Sequence, residues 1–232
     1  DVSGWSKLAI IAHHDCLGAL ITLSPLLFNQ HIPVFYIREL GVIDDATAAS
    51  IQGGDFTDLI ALGVDKHIPD TFLAACATHG VKSERLIGKD PYDANEKIND
   101  LITSGQVEGA RLTIDNLIVS SVWNPADAFA AGAWAAKTDS AFLLEDPQNL
   151  DSVAHAISYI KKKGGSVKHL TFLGDSSQFG RLDKEMLGKA VQEALVDAGL
   201  ADTGAEDAQP AETERTDFTS ADAASANTQE NE

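Results

Sequence analysis

The sequence predicts an α/β fold with parallel sheets covered by helices on both faces, and three observations carry that expectation. Segments of strand length alternate with helix-forming segments along the whole chain. The strand segments are apolar throughout instead of alternating apolar and polar, the pattern of strands buried on both faces. The chain also repeats itself about 109 residues on: Leu8-Ala9-Ile10-Ile11-Ala12 and Leu117-Ile118-Val119-Ser120-Ser121 are each followed by a polar turn and an Ala-rich helix. Leu59-Ile60-Ala61-Leu62-Gly63 and Leu170-Thr171-Phe172-Leu173-Gly174 then close each copy as buried strands ended by glycine. Duplication of one module points to binding or assembly before it points to one-site catalysis.

In the first copy the strand at Leu8–Ala12 leads to a helix over about 17–28, a β-branched strand at 32–37, and a helix headed by Asp44 and Asp45 and closed by Gly53-Gly54. A strand at 58–62 follows, then a helix opened by Pro69-Asp70 that stops near Gly80. Arg85-Leu86-Ile87-Gly88 and a helix from Asp93 to about Thr103 connect to the second copy. That copy reads as a strand at 117–121, a helix through Ala136, a strand at 140–144, a helix at 151–162, a strand at 169–173 and a last helix from Asp183 to about Ala198.

Composition narrows the function classes. The 232 residues carry a formal charge of −18; residues 201–232 hold nine acids and one base, leaving 16 bases against 26 acids in residues 1–200, a net −10. No basic face dominates, which argues against nucleic-acid binding. No run of about 18 apolar residues is present, so no membrane-spanning helix is expected. Residues 201–232 contain one Phe and no Ile, Leu, Val, Trp or Tyr, a composition that cannot repay the entropy of ordering, and are expected to form a disordered acidic tail or linker. The opening at Asp1, with no secretion signal, suits either a processed secreted chain or an excised fragment. Cys16 and Cys76 read as small buried hydrophobes, not as a disulfide or metal pair.

Two stretches of the second copy resemble a known family. Arg85-Leu86-Ile87-Gly88-Lys89-Asp90-Pro91-Tyr92-Asp93-Ala94 and Asn124-Pro125-Ala126-Asp127-Ala128-Phe129-Ala130-Ala131-Gly132-Ala133, with Phe142-Leu143-Leu144 and Phe172-Leu173-Gly174-Asp175 after them, are similar to the type 2 cell-wall-binding repeat of Gram-positive surface proteins. The resemblance implies a Rossmann-like or Toprim-like module present as one partial repeat at 1–81 and one complete repeat at 82–200. It further implies a secreted, extracellular protein held noncovalently at the cell wall by an anionic polymer, without catalysis or cofactor. Such repeats usually work in threes, so further copies, in trans or in a longer chain, are expected partners. Pro91, Ala94 and Asp175 stand where the family has arginine, threonine and a second glycine; if those residues contact polymer, the ligand differs or the chain is a purely structural module.

Candidate polymer contacts are Arg85, Lys89, Asp127 and the cluster Lys161, Lys162, Lys163 and Lys168, the densest positive patch of an acidic body. Each has a plainer reading beside it: the lysines complement a helix C-terminus, and Asp127 a helix N-terminus. Gly88, Tyr92, Asp93 and Gly174 are expected to be structural, the glycines turning the chain after strands. No metal site is expected. His13-His14-Asp15 resembles the metal motif of zinc-dependent N-acetylglucosaminyl deacetylases, but Cys16 replaces that family's second aspartate. The sequence singles out no further ligand among His31, His67, His79, His155 and His169. Gly174-Asp175-Ser176 resembles a GDSL hydrolase block, but no histidine follows His169 to activate the serine.

Overall fold

The computed structural model describes residues 4–105, 112–121, 124–174 and 178–201; the expected acidic tail beyond 201 and the Asp175-Ser176 pair lie outside them. The elements run β1 (Leu8–His13), a 3₁₀ turn (His14–Cys16), α1 (Leu17–Gln30), β2 (Val34–Ile37), α2 (Asp45–Gly53), β3 (Asp58–Leu62), α3 (Asp70–Thr78), β4 (Lys82–Leu86) and α4 (Pro91–Thr103). They continue with β5 (Thr113–Ser121), α5 (Pro125–Lys137), β6 (Ser140–Glu145), α6 (Leu150–Lys162), β7 (His169–Leu173) and α7 (Arg181–Asp197). The strands form two wholly parallel sheets, ordered β2-β1-β3-β4 and β6-β5-β7.

The first three strands of each copy therefore have the same topology: a central strand, a crossover to one side, then a crossover to the other. Residues 82–86 form a full strand, β4, that pairs with β3. The segment that opens the second repeat thus completes the sheet of the first.

Burial on both faces explains the continuous apolar strands. In β1, Ala9 and Ile11 pack with Ile51, Phe72 and Cys76 of α2 and α3, while Ile10 and Ala12 pack with Leu23 and Leu26 of α1 and Ile98 and Ile102 of α4. In β5, Leu117 and Val119 face Tyr159, Ile160, Leu187 and Val191 of α6 and α7, while Ile118 faces Ala128, Ala131 and Ala135 of α5. Ile21 of α1 joins that last cluster, so α1 contributes to the cores of both sheets.

The two sheets are joined by polar groups as well as by apolar ones. Asn99 of α4 is fully buried; its Nδ2 donates to Phe142 O at 2.7 Å and its Oδ1 accepts from Phe142 N at 3.3 Å, so one side-chain amide takes the place of a neighbouring strand at the β6 edge. Asn95, one turn earlier, donates to Phe142 O at 3.0 Å and to Thr22 Oγ1 of α1 at 2.8 Å. Within α1, Pro25 has no N–H to give to Ile21 O, and Ser24 Oγ donates to that carbonyl at 2.6 Å instead. A Cβ on Gly132 of α5 would lie 1.9 Å from the Ser24 hydroxyl, so glycine there lets α5 approach α1.

Replacing Asn99 with alanine strands the outward N–H of Phe142 in the core. Asn99→Ala is expected to cost about 2–3 kcal/mol in urea unfolding, whereas Thr103→Ala, half-buried on the last turn of the same helix, is expected to cost well under half of that.

Candidate functional site

The carboxyl ends of parallel strands, beside the point where strand order reverses, are where open α/β sheets hold ligands. In this protein both sheets present that rim to one cavity of about 410 Å³. Asp15, Cys16, Gly63 and His67 line it from the ends of β1 and β3, Gly88 and Asp90 from the end of β4, and Ala128 and Leu144 from the second sheet. Its lining is mostly apolar, and Asp15, Cys16, His67 and Asp90 are the titratable groups in it.

Several predicted residues assemble at this rim. Arg85, on β4, is turned inward: its guanidinium donates to Gly63 O at 2.6 Å and Ile68 O at 2.8 Å and pairs with Asp70. It therefore tethers the loop after β3 at the rim. Lys89 follows β4 next to the lining residues Gly88 and Asp90. Asp90 caps α4 by accepting from Tyr92 N and Asp93 N, and Asp93 Oδ2 accepts from Lys89 N at 2.7 Å. That bond, with the Lys97 ammonium, holds the Asp93 carboxyl below the usual range. Gly88 has no room for a side chain, since a Cβ would sit 2.3 Å from Ala94 N. Tyr92 Oη donates to Asp146 Oδ2 at 3.3 Å, linking α4 to the end of β6, and burial followed by the Asp146 charge pushes its phenol up.

Asp127 lies in the first turn of α5, but the capping side chain is Asn124, whose Oδ1 accepts from Ala126 N and Asp127 N. Asp127 Oδ2 instead accepts from Asn124 Nδ2 at 2.8 Å and Gln178 Nε2 at 3.1 Å. It clamps the start of α5 to the loop after β7. That loop begins at Gly174, whose φ of +149° only glycine adopts without strain. The first copy has the same device with different chemistry. Gly63 (φ +125°) follows β3, and four residues on, where the second copy has Gln178, stands His67, which meets Asp15.

The lysine cluster lies elsewhere. Lys161 to Lys168 run from the end of α6 to the start of β7, which in a parallel sheet is the amino end of the strands, opposite the cavity. Each is paired: Lys161 with Glu193, Lys162 and Lys163 with Asp100, Lys168 with Asp115. Lys163 also lies over the Tyr159 ring, 4.8 Å from its centroid. The fold thus divides the candidate residues between two ends of the molecule.

Two groups at the rim escape the sequence reading. One is His67, which no motif marks. The other is Glu145, the last residue of β6, fully buried with neither carboxyl oxygen hydrogen-bonded among the described residues. Burial first, then the charges of Asp183 and Asp146, push its pKa up to about 8, so it is a neutral acid at pH 7. A glutamate ending an apolar strand was the available signal.

Two parallel sheets built on one repeated topology, with ligand-type rims meeting at a cavity, define a duplicated α/β binding module. Residues 85–179 match the model of Cell wall binding domain 2 (CWB2). Among solved structures the chain is similar to Cwp6 from Clostridium difficile, with a TM-score of 0.63 at 16% identity, covering 80% of this chain and 28% of that one. This likeness shows a shared fold, and the chain spans little more than a quarter of that protein. A periplasmic metal binding protein from candidatus liberibacter asiaticus (TM-score 0.29, 11% identity, 84% of this chain and 86% of that one) and Zn(II)-bound AdcA from Streptococcus pneumoniae (0.31, 10%, 91% and 61%) score too low to carry structural meaning. No curated protein matches the sequence. The domain match supports cell wall binding as the general class.

The neutral Glu145 has a measurable consequence. Its folded pKa lies above the unfolded value of 4.5, so the folded protein keeps a proton that the unfolded chain releases. Its contribution is fully present below about pH 4.5, falls by about 1.4 kcal/mol per pH unit as pH rises toward 8, and changes no further above that. Glu145→Gln, which cannot ionise, is expected to gain stability over the wild type from pH 5 to pH 8 in urea titrations.

Proposed function

We propose that this protein attaches noncovalently to the bacterial cell wall by binding an anionic wall polymer in the cavity where the two strand rims meet. The single observation that carries the reading is the CWB2 match over residues 85–179, a stretch that supplies the Gly88 to Ala94 wall of that cavity and its Ala128 and Leu144 face. Lys89 and Asp127 are the proposed contacts at this end. Arg85 acts by holding the loop after β3 in place. The chain works as a binding module without catalysis, outside the cell and at its surface.

The lysine cluster is a second proposed contact, at the far end of the second sheet. A polymer bound there must compete with Asp100, Asp115 and Glu193 for the same ammonium groups. That competition favours the cavity. Partner repeats, in trans or in a longer chain, are part of the proposal. In the first sheet β4 occupies the edge of β3, whereas among the described residues β7 has no strand on its corresponding edge. An opening strand from a further repeat would fill it.

Sedimentation with Gram-positive cell walls, before and after acid extraction of their anionic polymers, tests the reading. The wild type is expected to pellet with intact walls only, and Lys89→Glu to reduce the bound fraction several-fold. Lys161→Gln/Lys162→Gln/Lys163→Gln is expected to bind like the wild type; if it is the variant that fails, the contact lies at the lysine end. Pelleting with neither preparation would make the chain a structural or oligomerisation module.

A further inference from the structure

We propose that His13, Asp15 and His67 form a binding site for a divalent transition-metal ion, with zinc the best match to their donor set. His13 is the last residue of β1, Asp15 lies in the 3₁₀ turn after it, and His67 lies in the loop after β3. The chain leaves β1 for β2 on one side and returns to β3 on the other, so this is the reversal point of the first sheet.

The distances fit an ion. One ligand atom from each residue falls within 4.8 Å of the others. Asp15 Oδ2 is 3.5 Å from His13 Nδ1 and 3.3 Å from His67 Nε2. Bonds of about 2.1 Å to a tetrahedral zinc ion place neighbouring ligands roughly 3.4 Å apart. The two imidazoles stack, 4.9 Å apart with 6° between their planes, which keeps both rings beside the same carboxylate.

The hydrogen bonding of these groups also suits a cation. His13 Nδ1 accepts a long hydrogen bond from Asp15 N at 3.3 Å, so its one lone pair is turned toward Asp15, and an ion bound at Nδ1 takes the place of that hydrogen bond. Among the described residues, His13, 1% exposed, has no hydrogen-bond partner at Nε2, and His67, 9% exposed, has none at Nδ1, while its Nε2 faces the Asp15 carboxylate. A buried imidazole nitrogen facing a carboxylate only at long range is poorly satisfied, and an ion at His67 Nε2 would give it a full bond.

The surroundings complete the site. His14 Nε2 is 2.9 Å from Asp15 Oδ1, which orients the carboxylate and leaves Oδ2 for the ion. A Cβ on Gly63 would fall 2.8 Å from His67 Nδ1 and 3.1 Å from Cys16 Sγ, so glycine is what lets His67 pack this close. Asp15 is half exposed and lines the cavity with His67, which leaves the remaining coordination position open to a ligand oxygen. In the second repeat the corresponding clamp is the hydrogen bond from the uncharged Gln178 amide to Asp127. The metal-binding chemistry therefore belongs to the first repeat. The site stands whether or not the cavity holds a wall polymer.

Equilibrium dialysis of the whole chain against zinc chloride, with the metal counted by mass spectrometry, tests the site. The wild type is expected to hold one equivalent tightly, and Co²⁺ in its place to give the visible absorption of a four-coordinate ion. His67→Gln installs the side chain that the second repeat carries at this place and should fold. It and Asp15→Asn are each expected to weaken binding by about a hundredfold, and His14→Ala by about tenfold, with unchanged circular dichroism. A wild type that holds no zinc, or zinc binding unaltered in both His67→Gln and Asp15→Asn, would overturn the proposal.

Discussion

Everything at the rim depends on how α4 grips the edge of β6. Two asparagine side chains, fully buried, supply hydrogen bonds that an additional strand would otherwise give. Because α4 also packs its Ile98 and Ile102 on the first sheet, one helix is bonded to both sheets at once. Apolar packing alone tolerates sliding, since burial has little directional preference. Amide bonds to a strand edge do not, and they set the register in which the two carboxyl rims share a cavity.

Around that joint, the two repeats show how one scaffold carries different chemistry. Each has a glycine with positive φ at the end of its third strand and a polar residue four positions later that crosses to the helix following the central strand. The second repeat closes this crossing with two uncharged donors on one carboxylate. The first places two buried imidazoles beside one half-exposed carboxylate. The backbone geometry is shared, and the side chains decide between a clamp and a cation site.

Charge is distributed by the same logic. An acidic body gains little from a cluster of four lysines when the nearest groups are its own carboxylates, and ion pairs of that kind at the surface add little stability. Asp100 takes two of the lysines; burial pushes its carboxyl up, and the two ammonium groups outweigh that and hold it below the usual range. The strand rims, by contrast, carry the acids Asp15, Asp90 and Asp127, the first two lining the largely apolar cavity. A cation held there would offset the field that an anionic ligand meets.

The sequence by itself determined the alternation of strands and helices, the parallel sheets, the duplication and the family of residues 85–179, because burial on both faces writes continuous apolar runs and a repeated fold writes repeated patterns. Strand and helix positions were legible to within a few residues, as at β3 and β7. The connecting segment at 82–86 was less so: Lys82, Ser83 and Glu84 are polar, and only their parallel pairing to β3 makes them a strand. The site was legible in part. Arg85, Lys89 and Asp127 could be named from their motifs, but their separation from Lys161 to Lys168 follows from the direction of parallel strands. His67 lies 54 residues from His13 and has no motif around it; only strand order and a left-handed glycine bring the two rings together. Contacts between distant segments arise from packing and topology, and those are properties of the folded chain.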